Sequence, residues 1–423
     1  MKKQIRVDQS ANRLKKLKKS TLLVSIFKKI ILKKFNNLKI GYIHLSEGNE
    51  SYEFGNKKSE FQTNIKILSP EFYVFLGSGG LLGVTEAYTA GFWQADDIVT
   101  LIRIMIKNSH IMQKLDSGWA KLLKPINNYI HKKRQNTLVG SKENILAHYD
   151  LSNDFYKLWL DESMTYSCGV FETESSTLKE ASIEKIDRIC RKLNLNVNDN
   201  ILEIGTGWGS FAIHAAKNYG CNITTTTISD AQYEYAKNKI AEEGLSDKIT
   251  LLNKDYRNLS GSYDKIVSIE MIEAVGHEYV PLFFESVSKL LKKDGLFALQ
   301  GITYNDHNFD EYKNSVDFIK KYIFPGSCLI SISQITNAVK KKTDLSIVNL
   351  EDITMHYATT LNKWRNNFMD VIPAVKKLGF SSAFINMWEF YFHYCEAGFL
   401  ERNIGDYQVI FAKSNARDIN IRY

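Results

Sequence analysis

The chain has 423 residues, 44% hydrophobic and 24% charged, with 24 Gly and 5 Pro, a composition that excludes fibrous and low-complexity chains and suits two or three domains with substantial cores. Its five cysteines, Cys168, Cys190, Cys221, Cys328 and Cys395, form no CxxC pair, which argues against a disulfide framework or thiolate metal site and suits a reducing cytoplasm. No apolar run approaches the ~18–20 residues that span a bilayer, and the N-terminus lacks the pattern of a secretion signal.

The formal charge is +8, but residues 1–40 carry 13 Lys or Arg against the single acid Asp8, so the remainder is mildly acidic. A basic arm on an acidic body points to an anionic surface. Nucleic acid would call for basic residues interleaved with stacking aromatics over a binding face. Within the arm, Leu14, Leu17, Val24, Phe27, Ile31, Phe35 and Leu38 recur at helical spacing opposite Lys15, Lys19, Lys29 and Lys33. Such a stripe either lies in a lipid headgroup layer or packs on the protein body.

Residues 41 to about 70 read as short strands, with GYIHL and SYEFG marking a hairpin or small sheet. The stretch FYVFLGSGGLLGVTEAYTAGFW reads as a strand, a glycine turn and a helical segment. Asp96 or Asp97 then caps a helix over DDIVTLIRIMIKN. The expected organisation is a basic arm (1–40), an accessory domain (41–125), a polar linker (126–145) and a main domain (146–423).

From Asn200 strand and helix alternate. Strands are expected at 201–204, 222–228, 249–252, 265–269 and 296–300, helices at SFAIHAAKNYG, DAQYEYAKNKIAEEG and 280–291, and a last strand at 407–412 after further helical segments. This βαβ series predicts a predominantly parallel sheet with helices on both faces and ligands at the carboxyl ends of its strands.

The unusual residues fall at those ends. Gly205, Gly207 and Gly209 follow the first strand in LEIGTGWG, a turn that lets a cofactor approach backbone. The G-x-G-x-G spacing and an uncharged second strand, TTTT, fit a dinucleotide poorly. Glu203, just before the glycines, fits adenosylmethionine better. Thr227, Ser229 and Gln232 follow the second strand, and Asp255 with Tyr256 the third, where an acid and an aromatic suit an adenine.

The strings HYDLSNDFY (from His148), TYSCGVF (Thr165), LEIGTGWGS (Leu202), TTISDAQ (Thr226), KDYRNL (Lys254), IEMIEAVGHE (Ile269), KYIFPGSCL (Lys321) and HYATTLNKW (His356) closely resemble cyclopropane-fatty-acid synthases and mycolic acid cyclopropane synthases. GSGGLLGVTEAYTAGFW resembles the phospholipid-acting branch. The resemblance spans roughly residues 65–415 and implies an α/β fold: a seven-stranded, mostly parallel, Rossmann-like S-adenosylmethionine-dependent methyltransferase sheet with helical additions and a smaller lipid-handling N-terminal domain.

It further implies methyl transfer from S-adenosylmethionine to a cis double bond of an unsaturated phospholipid acyl chain, through a carbocation that closes to a cyclopropane. In the family a bound bicarbonate assists deprotonation. The matching positions are Cys168, Glu273, Tyr357, the backbone at Ile302, and Gln300 where the family commonly has histidine. Ala274 also replaces a common histidine. Tyr166, Ser167 and Gly205 match the contacts to the cofactor's amino-acid end, Thr227 and Gln232 the ribose and sulfonium region, and Asp255 with Tyr256 the adenine. The resemblance makes a homodimer reasonable, and with the basic arm it suggests a cytoplasmic enzyme held at the inner face of the membrane, without nucleic acid or a catalytic metal. Gln300 leaves a methyl- or methylene-branched product open. A soluble small-molecule N-methyltransferase is the alternative from outside lipid chemistry.

Overall fold

The computed structural model describes residues 21–109, 152–417 and 419. Leu14, Leu17, the expected linker 126–145, His148 and Tyr149 lie outside them. The chain forms two compact units that interleave along the sequence.

In the first unit, residues 21–109 associate with Asn314–Pro325 and Leu361–Asn403. It begins with α1 (Thr21–Phe35), followed by β1 (Tyr42–Glu47), β2 (Glu50–Gly55), β3 (Gln62–Ile67), α2 (Glu71–Thr89), β4 (Trp93–Ala95) and α3 (Ile98–Lys107). The strands form one sheet in the order β2-β1-β3-β4, with β1 and β2 the expected antiparallel hairpin. Asp97 caps α3 by accepting from the Thr100 amide.

One expectation is corrected here, and one open alternative is decided. The stretch read as strand and glycine turn is one helix, α2, kinked at Gly80, whose φ of 58° only glycine adopts without cost. Its glycines allow close packing: a Cβ at Gly77 would stand 2.0 Å from the Phe27 ring. That contact also decides the described part of the arm. Phe27, Ile31 and Phe35 are buried, so this stripe packs on the protein body. The face that α1 leaves exposed carries Leu22, Leu23, Ile26 and Ile30 instead.

Residues far along the chain complete this unit. Glu401 accepts from Arg103 (2.7 Å) and Lys107 (2.6 Å), and Glu86 accepts from Lys321 (2.7 Å) and Tyr322 (2.6 Å). Residues 146–423, expected as one domain, thus contribute two stretches to the first unit. Apolar helices such as Ser382–Leu400, with Trp388, Phe390 and Phe392 buried, take the partners that bury them, and linear position does not dictate which.

The second unit contains α4 (Leu178–Lys192), β5 (Asn200–Ile204), α5 (Ser210–Tyr219), β6 (Asn222–Thr227), α6 (Asp230–Glu242), β7 (Ile249–Asn253), β8 (Tyr263–Ile269), α7 (Val280–Leu290), β9 (Leu291–Tyr304), α8 (Ile332–Lys342), β10 (Ser346–Asp352) and β11 (Ile404–Ala412). The seven-stranded sheet runs β10-β11-β9-β8-β5-β6-β7. Strands β9, β8, β5, β6 and β7 are parallel, and β11 is antiparallel to both neighbours. The strand β10 had no counterpart among the expected elements.

Successive strand residues serve opposite faces. Leu202, Phe297, Leu299 and Phe411 join one apolar cluster with α7 and α8, while Ile201, Leu296, Ala298 and Ile410 join another with α4 and α5. A sheet buried on both faces explains the continuous apolar strands seen in the sequence.

Candidate active site

A cavity of about 170 Å³ opens at the carboxyl ends of the parallel strands. Of the residues expected to hold a cofactor, Tyr166, Ser167, Glu203, Gly205, Gly207, Thr227, Gln232, Asp255 and Tyr256 line it. Gly209 and Ser229 are not in its wall; they cap α5 and α6, Ser229 accepting from the Gln232 amide.

The glycine turn is fixed by its backbone. Gly205 has φ 105°, a Cβ there would lie 3.1 Å from the Met271 side chain, and the amides of Gly205 and Thr206 both donate to the Thr226 carbonyl at 3.0 Å. The uncharged TTTT strand supplies hydroxyls. Thr225 donates to Glu203 at 2.5 Å, and Thr227 donates to the Gln232 side-chain oxygen at 3.0 Å. Burial pushes the Glu203 carboxyl up to about 8, so near neutrality it is largely an uncharged acid. Asp255 is clasped by Arg257, its oxygens accepting from Nε at 2.8 Å and Nη2 at 2.7 Å. Tyr256 is braced edge-on by Phe283 at 5.4 Å.

Sequence reasoning passed over Trp208 and Lys185, both in the cavity wall. Trp208 is packed 5.1 Å from Tyr156 and donates from Nε1 to Asn153 at 2.8 Å. Lys185 is buried on α4 and donates to the Ser167 hydroxyl at 2.7 Å. Its position on the apolar face of an amphipathic helix was the available signal.

Three of the five residues expected to hold an anion, Cys168, Gln300 and Tyr357, converge on a side chain that sequence reasoning also missed, and the other two, Ile302 and Glu273, bond to each other. Glu270, the first residue after β8, is partly accessible and lines the cavity. Its Oε1 accepts from the Cys168 backbone amide (2.8 Å) and from Gln300 Nε2 (2.8 Å), and its Oε2 accepts from the Tyr357 hydroxyl (2.6 Å). The Cys168 contact is therefore made by backbone; its Sγ lies 3.2 Å from the Gly169 carbonyl, and burial raises the thiol well above its ordinary range. The Ile302 amide donates to Glu273 Oε1 at 2.5 Å.

A third acid, Asp406 on β11, is fully buried and accepts from Gln300 Nε2 at 3.2 Å. Desolvation and the neighbouring Glu270 push Asp406 well up and Glu273 to about 8. Two acids three residues apart at a strand end, Glu270 and Glu273, were legible as a pair. Asp406 had no such signal.

This arrangement offers a glycine-walled seat with neutral polar groups on one side and, bordering the same cavity, a carboxylate held by three donors. Among the described residues no group of His, Cys, Asp and Glu is arranged to hold a metal ion.

Comparison with known proteins accords with that geometry. A family model described as mycolic acid cyclopropane synthetase matches residues 136–409. The tuberculostearic acid methyltransferase UfaA1 of Mycobacterium tuberculosis is 35% identical over 79% of this chain and 79% of its own. The cyclopropane-fatty-acyl-phospholipid synthase of Escherichia coli K12 is 32% identical over 83% of this chain and 88% of its own. Among solved structures, mycolic acid cyclopropane synthase CmaA1 complexed with SAH and CTAB superposes with a TM-score of 0.60 at 29% identity, over 64% of this chain and 98% of that one. A glycine seat matched in fold to a relative holding the demethylated cofactor identifies S-adenosylmethionine as the methyl donor. The chain therefore belongs to the mycolic acid cyclopropane synthetase family and is an S-adenosylmethionine-dependent methyltransferase of the cyclopropane synthase type.

Proposed function

We propose that this enzyme methylates a cis double bond in the acyl chain of a membrane phospholipid and closes a cyclopropane ring. The observation that carries this reading is the Glu270 cluster bordering the cofactor cavity. An amine acceptor brings its own lone pair. An alkene is a poor nucleophile, and its methylation ends only when a C–H proton is removed inside a site that keeps water from a cation. Met164, Ile269, Met271 and Val275 give the cavity apolar wall beside Glu270, which suits that demand.

The bound cofactor supplies an electrophilic methyl group. By resemblance, Tyr166, Ser167 and Gly205 hold its amino-acid end, Thr227 and Gln232 the ribose and sulfonium region, and Asp255 with Tyr256 the adenine, with Glu203, Gly207, Gly209 and Ser229 shaping the turns. The bicarbonate implied by the same resemblance does not fit this chain. Tyr357, Gln300 and the Cys168 amide already donate to Glu270, and the Ile302 amide to Glu273.

We place the enzyme at the inner, anionic face of the membrane, as a homodimer. Among the described residues no helix is long and apolar enough to cross a bilayer. The exposed Leu22, Leu23, Ile26 and Ile30 of α1 stand beside exposed Lys29 and Lys33, a pairing of apolar and cationic groups suited to a headgroup layer. A second product, a methylene-branched chain, is favoured by one observation: at Gln300 the chain departs from the cyclopropane pattern. It differs in one step: a hydride shift moves the cation to the methyl-bearing carbon, so that the pair released on proton loss forms a double bond instead of a ring.

The test is incubation of the purified protein with methyl-labelled S-adenosylmethionine and vesicles of cis-monounsaturated phosphatidylglycerol and phosphatidylethanolamine. Expected is the gain of one CH2 at the former double bond, with NMR showing ring protons. Vinylic protons instead would select the methylene product. No label in lipid, with cofactor binding intact, would refute the phospholipid assignment.

A further inference from the structure

Glu270 stands at a backbone position that an ordinary side chain avoids. Its φ is 46°, in the left-handed region that costs a non-glycine residue roughly 1–2 kcal/mol. Its amide nevertheless donates to the Gln300 carbonyl at 2.9 Å, which locks the conformation and turns the carboxylate toward Cys168, Gln300 and Tyr357. Strained residues of this kind cluster at functional sites.

The donors facing it are oriented from behind. Lys192, buried on α4, can only donate, and its Nζ lies 2.8 Å from Gln408 Oε1. This fixes the Gln408 amide so that its Nε2 donates to Gln300 Oε1 at 3.1 Å. Gln300 in turn must present its NH2 to Glu270 and Asp406. A fixed ammonium thus sets two amides in series, and the chain of donors ends on the Glu270 carboxylate.

The donors around each acid distinguish which one is best able to ionise. Glu270 and Asp406 share the field of Lys185, and Glu273 feels the charge of Glu270. Glu273 Oε2 and Asp406 Oδ1 are buried and no N–H or hydroxyl donates to them, so those two groups are poorly solvated as anions. Burial raises Glu270 as well, but its three donors and Lys185 oppose that shift, so of the three it is the group built to carry the negative charge.

A carboxylate and a bicarbonate ion are alike where it matters: both are planar, singly charged and accept through two oxygens. Resting on the function proposed above, we propose that Glu270 is a built-in general base that fills the anion seat, so that this enzyme works without bicarbonate. The alkene π pair bonds to the methyl carbon as the C–S bond breaks, leaving a cation on the adjacent carbon. Glu270 takes a proton from the new methyl group, and the released C–H pair closes the ring, or forms the methylene double bond after a hydride shift. Either product leaves one proton on Glu270, which passes to solvent. A saturated methyl product would need an external hydride donor and forms no part of the proposal.

The experiment compares wild type, Glu270→Gln and Glu270→Gly in CO2-free buffer, with and without added bicarbonate, in the labelled-lipid assay. Wild-type turnover is expected to be indifferent to bicarbonate. Glu270→Gln, which fills the seat with a non-basic amide, is expected to lose roughly 10²–10⁴-fold in kcat with no rescue. Glu270→Gly relieves the left-handed backbone and vacates the seat, so it is expected to lose as much and to regain activity with bicarbonate or formate. Thermal unfolding and cofactor binding verify that both variants fold. Carbon-13 NMR of labelled bicarbonate gives a readout independent of lipid turnover: a bound signal is expected with Glu270→Gly and none with wild type. Wild-type turnover that requires bicarbonate, or bicarbonate bound to wild type, would overturn the proposal. Absence of lipid labelling under all conditions would refute the function above, and the NMR comparison would still judge the seat.

Discussion

The two sides of the sheet border one cavity with different chemistry. On the β5–β6–β7 side the polar wall is made of hydroxyls and an amide that bond to one another, of Glu203, hydrogen-bonded by the neutral Thr225, and of Asp255, neutralised by its own Arg257. On the β8–β9–β11 side, Glu270, Glu273 and Asp406 gather, with the buried Lys185 acting on Glu270 and Asp406. The first side is suited to hold a ligand by shape and neutral polarity. The second maintains charge where water is scarce, which is costly unless donors and counter-charge are fixed in place. The difference teaches that binding and proton removal can occupy one cavity when only one wall carries net charge.

The sharpest way to break this contrast is Lys185→Met. It removes the buried counter-charge while leaving the acids, and is expected to destabilise the protein by about 3–5 kcal/mol in urea unfolding at pH 7. Adding Glu270→Gln should return part of that loss, because the ionised acid no longer needs compensation. Additivity of the two changes would show that the lysine does not serve the cluster.

The next effect concerns the neutral wall. Glu203 has its folded value raised to about 8 from an ordinary 4.5. The unfolded chain therefore loses this proton first as pH rises, and its contribution to stability, complete below about 4.5, is lost between there and about 8. The cofactor-free protein should weaken across that window, Glu273 contributing in the same direction. Glu203→Gln should reduce the slope by up to about 1.4 kcal/mol per pH unit. An unchanged slope in urea titrations at several pH values would mean that Glu203 is ionised in the folded state.

Gly205→Ala probes shape without charge. With φ at 105° and Met271 3.1 Å from the added carbon, the turn must shift, and calorimetry should show cofactor affinity reduced about tenfold, near 1.4 kcal/mol. The smallest effect belongs to Cys168. Its thiol is buried and held protonated, so iodoacetamide should leave it unmodified in the native protein. Cys168→Ala, which keeps the amide that bonds Glu270, should cost about 1 kcal/mol in stability.

What could be read from the sequence follows the same division. The alternating strands and helices, the glycine turn, Glu203, Thr227, Gln232, Asp255 and Tyr256 lie in short local strings, and the parallel-sheet rule assigns them to one edge without knowledge of the packing. The kink at Gly80 and the burial of Phe27 on Gly77 were not legible, because each depends on which surface a helix meets. The assignment of Ser382–Leu400 to the first unit depended on packing in the same way.

The charged wall was decided by tertiary structure. Its hydrogen bonds to Glu270 join residues 102, 30 and 87 positions apart. Strand register supplies the rest: Ile269 pairs with Gln300, Gln300 with Gln408, and Ile302 with Asp406. A slip of one residue would turn those side chains to the opposite face. The sequence by itself determined the residue types, the parallel sheet and the cofactor turn, since these rest on local spacing. Only the folded sheet determined that Glu270 takes the donors expected to bind a separate anion, because a hydrogen bond is set by distance in space and the pairing of β8, β9 and β11 creates that distance.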